Sequence, residues 1–230
     1  MKRSFVLLMI CFATGILSLL GCASTPPKSY DYSAFLAHRP RSILVLPPQN
    51  QTTEVMAPYI YLSTITYTLA EKGYYVFPVA VVDTLMKENG VPTPDEMAQI
   101  PLKKIQEVID PDAVLYLTIL EWGAKYQLID TSTIVHIKGR LVDTDTGILL
   151  WEGERNVVQD SGSHNGGDIV GMMVTAIVEK ITTSIADPTR DLAYQANAKL
   201  FNDEYKGLPK GQRHKDFSED QKQLQKKASP

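Results

Sequence analysis

Three basic side chains alternate along one short stretch of the sequence: His136, Lys138 and Arg140. If that stretch is a β-strand, its two-residue period places all three side chains on one face of a sheet. Such a row of positive charge could bind an anionic partner, for example a phosphorylated glycan or a lipid headgroup. The solvated outer face of a sheet carries the same pattern, and we favour that simpler interpretation.

An acidic segment offers a second candidate site, a calcium loop. Asp143 and Asp145 belong to an Asp-x-Asp-x-Gly arrangement, but Gly147 and Ile148 stand where an EF-hand needs a third oxygen ligand and a glycine. The segment is therefore predicted to be a turn in which the aspartates bond their own backbone.

Phosphate binding, metal binding and catalysis also lack complete motifs. Residues 162–168 precede a predicted helix whose N–H groups could hold a phosphate, but Asp168 would repel that anion and cap the helix instead. The chain has no Gly-x-Ser-x-Gly nucleophile elbow, and its histidines lack the paired spacing of metal ligands. The four histidines are His38, His136, His164 and His214. We therefore predict no cofactor, no metal and no enzymatic activity.

The first 22 residues combine three targeting features. Two positive charges at Lys2 and Arg3 precede an apolar run from Phe5 to Leu20, and Leu19-Leu20-Gly21-Cys22 ends that run. This order is typical of a signal peptide, and its end resembles the lipobox at which lipoprotein precursors are lipidated on cysteine and cut before it. We therefore predict that residues 1–21 are removed and that Cys22 carries lipid. An uncleaved membrane-spanning helix is the alternative, since about 20 apolar residues can span a bilayer.

Composition limits what the mature chain can be. The full sequence has 23 basic and 26 acidic side chains, and removal of residues 1–21 takes away Lys2 and Arg3 but no acid, which leaves a net charge of −5. That balance lacks the excess of basic side chains that is typical of proteins that bind nucleic acid. Cys11 would leave with the signal peptide and Cys22 would be lipidated, so we predict no disulfide. A body of roughly 170 residues must then be stabilised by one hydrophobic core.

The elements that would position these residues follow from hydrophobic periodicity. Strands are predicted at residues 42–46, 74–77, 113–120, 133–142 and 149–157, and helices at 55–69, 82–89, 102–109, 169–185 and 189–201. Their order predicts an α/β (α+β) fold: a mixed β-sheet of about five strands with a β-α-β start, then an antiparallel meander, and helices packed on the sheet. The nearly unbroken apolar run at 113–120 should be the central strand, buried on both faces.

Composition also predicts the segments outside this core. Residues 22–40 would form the lipidated N-terminus and a flexible tether, since residues 23–29 are small, polar and proline-containing. Residues 41–205 would form a single periplasmic α/β domain. Residues 206–230 contain seven Lys or Arg side chains and almost no apolar ones, which predicts a disordered basic tail. Such a tail could contact anionic envelope polymers, but we favour a simple solubilising role.

Several landmarks, in this order along the chain, resemble one known family. They are the lipobox at Cys22, Val45-Leu46-Pro47-Pro48, Gly90-Val91-Pro92-Thr93-Pro94, Asp112-Ala113-Val114-Leu115-Tyr116, and the hairpin from Leu141-Val142-Asp143 through Gly147 to Leu150-Trp151. Over most of residues 20–205 they resemble a family of bacterial lipoproteins that bears only a domain-of-unknown-function label. More distantly, the layout is similar to the periplasmic α/β domain of the curli-secretion channel lipoproteins and to the N-terminal domain of the Tol-system β-propeller protein.

The resemblance implies a location, a role and partners. It implies an α/β sandwich on the outer-membrane side of the periplasm, acting as a non-enzymatic accessory or interaction protein in secretion or envelope assembly. Ala23 also indicates the outer membrane, because an aspartate there would favour inner-membrane retention in enteric-type sorting. The implied partners are the membrane, through lipid on Cys22, and envelope lipoproteins such as a curli-type channel lipoprotein, with an oligomer left open. A peptidoglycan- or anionic-polysaccharide-binding lipoprotein is the alternative, and an envelope hydrolase without a recognisable motif is the third.

Overall fold

The computed structural model describes residues 30–126, 131–160 and 188–228 of the protein. Four features of the sequence lie outside the described residues: the signal peptide, Cys22 with the tether up to residue 29, the loop at 162–168, and the helix predicted at 169–185. Within the described ranges, no helix is long and apolar enough to cross a membrane.

One mixed β-sheet organises the described residues. Its six strands are β1 (Ser42–Val45), β2 (Gln49–Asn50), β3 (Tyr75–Val76), β4 (Ala113–Tyr126), β5 (Thr131–Asp143) and β6 (Leu149–Asp160). They lie in the order β3-β1-β4-β5-β6, and β2 pairs with a later part of β4. Pairs among β1 to β4 are parallel, whereas β4–β5 and β5–β6 are antiparallel. The predicted mixed sheet, with its β-α-β start and antiparallel meander, is therefore confirmed.

Helices pack on both faces of this sheet. Those in the described ranges are α1 (Ser33–His38), α2 (Ala57–Glu71), α3 (Val79–Glu88), α4 (Pro94–Met97), α5 (Leu102–Val108), α6 (Pro188–Phe201) and α7 (Phe217–Ala228). On one face, α1, α2, α6 and α7 contribute to a large hydrophobic cluster that contains Leu117, Ile137 and Trp151. On the other face, α3, α4 and α5 form a smaller cluster with Leu44 and Val114. The described helices therefore cover only part of the second face.

Strand β2 is a continuation of β1 that the sequence did not predict. Both strands pair with β4, since Leu46 N donates to Leu115 O at 3.2 Å and Gln51 N donates to Ile119 O at 2.9 Å. Pro47 and Pro48 stand between them and have no N–H to donate, so the hydrogen-bond ladder is interrupted there. The short β2 continues the sheet beside the later part of β4 and so borders the second face there.

Strand β4 lies at the middle of the sheet, as predicted. Its first residues, 113–115, are buried on both faces. From Tyr116 onward only one face is buried: Leu117 and Ile119 lie in the core, whereas Tyr116 and Thr118 are half-buried on the other side. The prediction of burial on both faces is wrong for this part, because α3, α4 and α5 cover only the beginning of the second face.

The domain extends beyond the predicted boundaries of residues 41 and 205. Residues 30–40 were assigned to the tether, yet they contain α1, and Phe35 is buried in the large cluster. The prediction of a disordered tail at 206–230 is wrong for the described residues up to 228. Leu208 and Leu224 are buried in the same cluster, and Leu224 belongs to α7. These two leucines help to dock the segment, and its low average hydrophobicity gave no sign of them.

Hydrogen bonds fix the C-terminal segment to the end of α2. The Tyr74 hydroxyl donates to Pro209 O at 2.6 Å, and Gly211 N donates to Lys72 O at 2.7 Å. Gly73 lies between these contacts with φ +88°, and a Cβ at this position would be 2.3 Å from the backbone nitrogen of His214. Only glycine fits at position 73 while the C-terminal segment stays in place.

A pair of glycine substitutions tests this packing. Gly90 also has a positive φ, +81°, but a Cβ there would meet no atom within 4 Å. We expect Gly90→Ala to lower the free energy of unfolding by about 1 kcal/mol, the strain of a left-handed conformation. Gly73→Ala should lower it by about 3 kcal/mol, since the clash with the backbone of the C-terminal segment adds to that strain. Equilibrium urea unfolding measures both values, and equal losses would contradict the docking of residues 206–228.

Candidate functional site

The basic stripe occupies one face of β5, as its alternation predicted. His136, Lys138 and Arg140 point to the second, partly open face of the sheet, whereas Ile137 and Leu141 are fully buried in the large cluster. His136 and Lys138 are half-buried and Arg140 is exposed. The strand therefore presents the three side chains together, but their surroundings differ.

His136 is held by acidic side chains. Its Nε2 lies 2.7 Å from Oε1 of Glu154, and its Nδ1 lies 3.6 Å from Oε2 of Glu121. Glu154 is paired with Lys138 in the sheet register, so its carboxylate reaches diagonally to the histidine. Glu121 comes opposite His136 because a β-bulge shifts the register of β4 after Ile119. The imidazole is thus already occupied and does not contribute to an anion site.

Lys138 and Arg140 form no ion pair with any carboxylate in the described part of the chain. On β4, Thr118 lies opposite Lys138 and Tyr116 lies opposite Arg140. Burial raises the pKa of the Tyr116 phenol, although the positive charge of Arg140 acts in the opposite sense. The phenol is therefore protonated at neutral pH and can donate a hydrogen bond beside the two cations.

These side chains open onto a groove of about 600 Å³ on the second face of the sheet. Its floor consists of Tyr116, Thr118 and Leu120 from β4 and Lys138, Arg140 and Val142 from β5. Its wall consists of Gln49 and Gln51 at β2, and Ala98 and Gln99 after α4. We call this surface the sheet-face groove. No acidic residue among the described ones lines it, so these side chains give it two positive charges in a chain with a negative net charge.

Local hydrogen bonds fix the wall of the sheet-face groove. Helix α4 begins with a capping box in which Thr93 Oγ1 accepts from Glu96 N and the Glu96 carboxylate accepts from Thr93 N. Gln49 Nε2 donates to Asp95 Oδ1 at 2.9 Å, which joins β2 to α4. The side-chain amides of Gln51 and Gln99 make no hydrogen bond to another described residue. These two amides remain able to bind a ligand.

Sequence reasoning found the two cations of the groove and missed the amides. Lys138 and Arg140 stand in a long strand with a clear two-residue period. Gln49, Gln51 and Gln99 stand in a two-residue strand and a short connection, and neither element has a period to detect. Gln49 is half-buried and Gln51 and Gln99 are exposed, and the groove that they share is apparent only when β2 and α4 are placed beside β4.

The acidic turn after β5 is structural, as predicted. Oδ1 of Asp143 accepts hydrogen bonds from the N–H and hydroxyl of Thr146 at 2.8 and 2.7 Å, and Oδ2 lies 3.0 Å from Nδ1 of His38. Burial alone would raise the pKa of Asp143, but these hydrogen bonds and the nearby His38 hold it below its usual value. Within the described ranges, no group of three or more His, Cys, Asp or Glu side chains could hold a metal ion.

A separate apolar surface lies at the start of α2. Val55, Met56 and Tyr59 are 77%, 59% and 44% exposed, and we call these three residues the α2 patch. Met56 and Tyr59 are three residues apart, which is neighbouring spacing on a helix surface. The Lys87 ammonium lies 5.1 Å from the centroid of the Tyr59 ring and 2.6 Å from Oδ2 of Asp83, so an ion pair borders the patch. Single exposed apolar side chains are ordinary, whereas adjacent ones are typical of interaction surfaces.

Comparison with known proteins identifies the family. Residues 30–213 match the family model described as "Putative lipoprotein GNA1162-like". The chain is 34% identical over 206 residues to "Putative lipoprotein NMB1124/NMB1162" of Neisseria meningitidis serogroup B (strain ATCC BAA-335 / MC58), a match that covers 89% of this chain and 95% of that relative. It is also similar to the crystal structure of lipoprotein GNA1162 from Neisseria meningitidis, with 39% identity, a TM-score of 0.52, and coverage of 63% of this chain and 99% of that chain. The predicted lipoprotein family is therefore confirmed, and the chain belongs to the GNA1162-like lipoproteins.

Proposed function

We propose that this protein is a non-enzymatic accessory protein of secretion or envelope assembly, held at the periplasmic face of the outer membrane by lipid on Cys22. Membership of a lipoprotein family supports a lipid anchor in the bacterial envelope. Ala23 supports the outer membrane as its location. The observation that carries the accessory role is the α2 patch, because an anchored domain with an exposed apolar surface can bind another envelope protein.

The α2 patch has the composition of a small interface centre. Burial of a Val or Met side chain stabilises a contact by roughly 1.5–3 kcal/mol, so Val55 and Met56 alone supply a substantial part of a modest affinity. Tyr59 adds an aromatic side chain, a type enriched at interaction surfaces, and Lys87 adds a polar rim beside it. The partner that fits this chemistry is a protein with a complementary apolar surface.

Purification with the lipid anchor intact tests the proposal. We expect the full-length protein, extracted from envelope membranes in mild detergent, to bring down a stable protein partner that mass spectrometry identifies. Val55→Ser/Met56→Ser should lose that partner. The matched control Val81→Ser/Val108→Ser removes two valines that are 64% and 68% exposed elsewhere, and it should retain the partner.

The outcomes separate the candidate partners. A curli-type channel lipoprotein in the eluate would place the protein beside a secretion channel. Any partner that both double variants retain would contradict the role of the α2 patch, and an eluate without a partner would contradict the accessory function.

A further inference from the structure

Lys138 and Arg140 of the sheet-face groove form no ion pair with a described carboxylate. Glu152 and Glu154 stand opposite Arg140 and Lys138 in the register, but Glu154 contacts His136 and neither carboxylate pairs with Lys138 or Arg140. Lys138 and Arg140 are two residues apart on β5, which separates their Cα atoms by roughly 7 Å. A ligand with spaced single charges complements this arrangement. The dense charge of nucleic acid would instead meet the repulsion of a chain with net charge −3 before processing.

The floor of the groove offers only side chains for contact with a ligand. Tyr116 pairs with Arg140 and Thr118 pairs with Lys138, so the backbone groups of the floor belong to the β4–β5 ladder. A peptide that binds by strand addition needs unpaired N–H and C=O groups at a sheet edge, and the middle of a sheet does not offer them. The groups that do face the groove are hydroxyls and amides, which both donate and accept hydrogen bonds. That dual capacity matches the hydroxyl groups of sugars.

We propose that the sheet-face groove binds a carboxylate-bearing polysaccharide, with Lys138 and Arg140 pairing with its carboxylates and the amides of Gln51 and Gln99 bonding its hydroxyl or acetamido groups. The half-buried ring of Tyr116 provides an apolar surface on the floor for one face of a sugar ring. The groove is also concave, so it suits a polymer strand better than a flat membrane surface. This inference is separate from the accessory role, which uses the α2 patch.

Calorimetric titration with polygalacturonate tests the groove in the full-length lipidated protein in detergent micelles. We expect wild-type binding that weakens at least about tenfold between low salt and about 0.5 M salt, because exposed charges are screened. Lys138→Gln/Arg140→Gln should weaken binding at low salt at least about tenfold. Gln51→Ala/Gln99→Ala should weaken it about threefold with an unchanged salt dependence, since neutral hydrogen bonds are lost.

A control of equal charge distinguishes the groove from general electrostatics. Lys222→Gln/Lys226→Gln removes two exposed lysines from α7 and should change the affinity less than about twofold. All three double variants should melt within about 2 °C of the wild type, because surface substitutions rarely alter stability. Equal losses in the two charge variants, or no wild-type binding to polygalacturonate, would overturn the proposal.

Three further probes identify the ligand class. Dextran, which is neutral, should not bind, and equal binding of dextran would remove the role of the carboxylates. Poly-glutamate should bind more weakly than polygalacturonate, and the reverse order would replace the polysaccharide with an acidic peptide. Co-sedimentation with peptidoglycan sacculi that is lost in Lys138→Gln/Arg140→Gln would support the proposal with peptidoglycan as the source. If the protein binds polygalacturonate but does not co-sediment with sacculi, the proposal is supported with a secreted polysaccharide as the source of the ligand.

Discussion

Replacement of Cys22 with alanine is expected to leave an unprocessed precursor that no longer fractionates with the outer membrane. In the predicted lipobox the Cys22 thiol would accept the first lipid, and cleavage before position 22 would follow that modification, so one substitution would remove both steps. Several acyl chains, each methylene worth roughly 0.8 kcal/mol when buried, would make such an anchor effectively permanent. Membrane fractionation and the intact mass of the purified chain measure the effect.

Cys11 provides a matched control for this experiment. It lies within the predicted apolar core of the signal peptide and leaves with it, so Cys11→Ala should be lipidated, cut and localised like the wild type. A Cys22→Ala variant that matures normally and remains with the outer membrane would contradict the anchor. A defect of the same size in Cys11→Ala would attribute the loss to a damaged signal peptide.

Leu117→Asp is expected to prevent accumulation of the folded protein. Leu117 is 2% exposed and lies in β4, the central strand, so the new carboxylate would be buried among apolar side chains. Burial of an unpaired polar or charged group costs several kcal/mol, which is comparable with the whole stability of a typical domain. Soluble yield and the thermal unfolding of any recovered protein measure this effect.

Thr118→Asp is the control in the same strand. Thr118 faces the sheet-face groove opposite Lys138, where an aspartate remains hydrated and close to a positive charge. We expect it to lower the free energy of unfolding by about 1 kcal/mol or less. Similar damage from both substitutions would show that aspartate is harmful anywhere in β4, and an unchanged melting temperature for Leu117→Asp would place that side chain outside the core.

The main sheet could be predicted because its strands carry their own periodicity. Residues 113–120 are nearly all apolar and 133–142 alternate, so their roles as central strand and half-exposed strand follow from single segments. Elements that form because they pack against distant parts of the chain have no such periodic pattern in the sequence. Strand β2 exists because it pairs with Thr118 and Ile119, and the C-terminal segment is docked by Leu208, Leu224 and hydrogen bonds to the end of α2.

The side chains of the candidate site show the same difference between what one segment determines and what depends on distant segments. The shared face of His136, Lys138 and Arg140 is a local property of one strand and was predicted correctly. Their different states are not local, because His136 is occupied by Glu154 from β6 and by Glu121, which the β-bulge after Ile119 brings opposite it. A sequence pattern cannot show which member of a basic stripe is already neutralised, since that depends on the register of two neighbouring strands.

The attachment of Tyr30 limits how far the domain can reach. Its hydroxyl accepts a hydrogen bond from Glu152 N at 2.9 Å, which ties the first described residue to β6, the last strand of the described sheet. With lipid on Cys22, the eight peptide steps to Tyr30 span at most roughly 29 Å even when fully extended. A lipid on Cys22 would therefore keep Tyr30, and with it the β6 edge, within about that distance of the bilayer. A partner in the same membrane must come within that radius, so the length of residues 22–30 determines which neighbours the protein can meet.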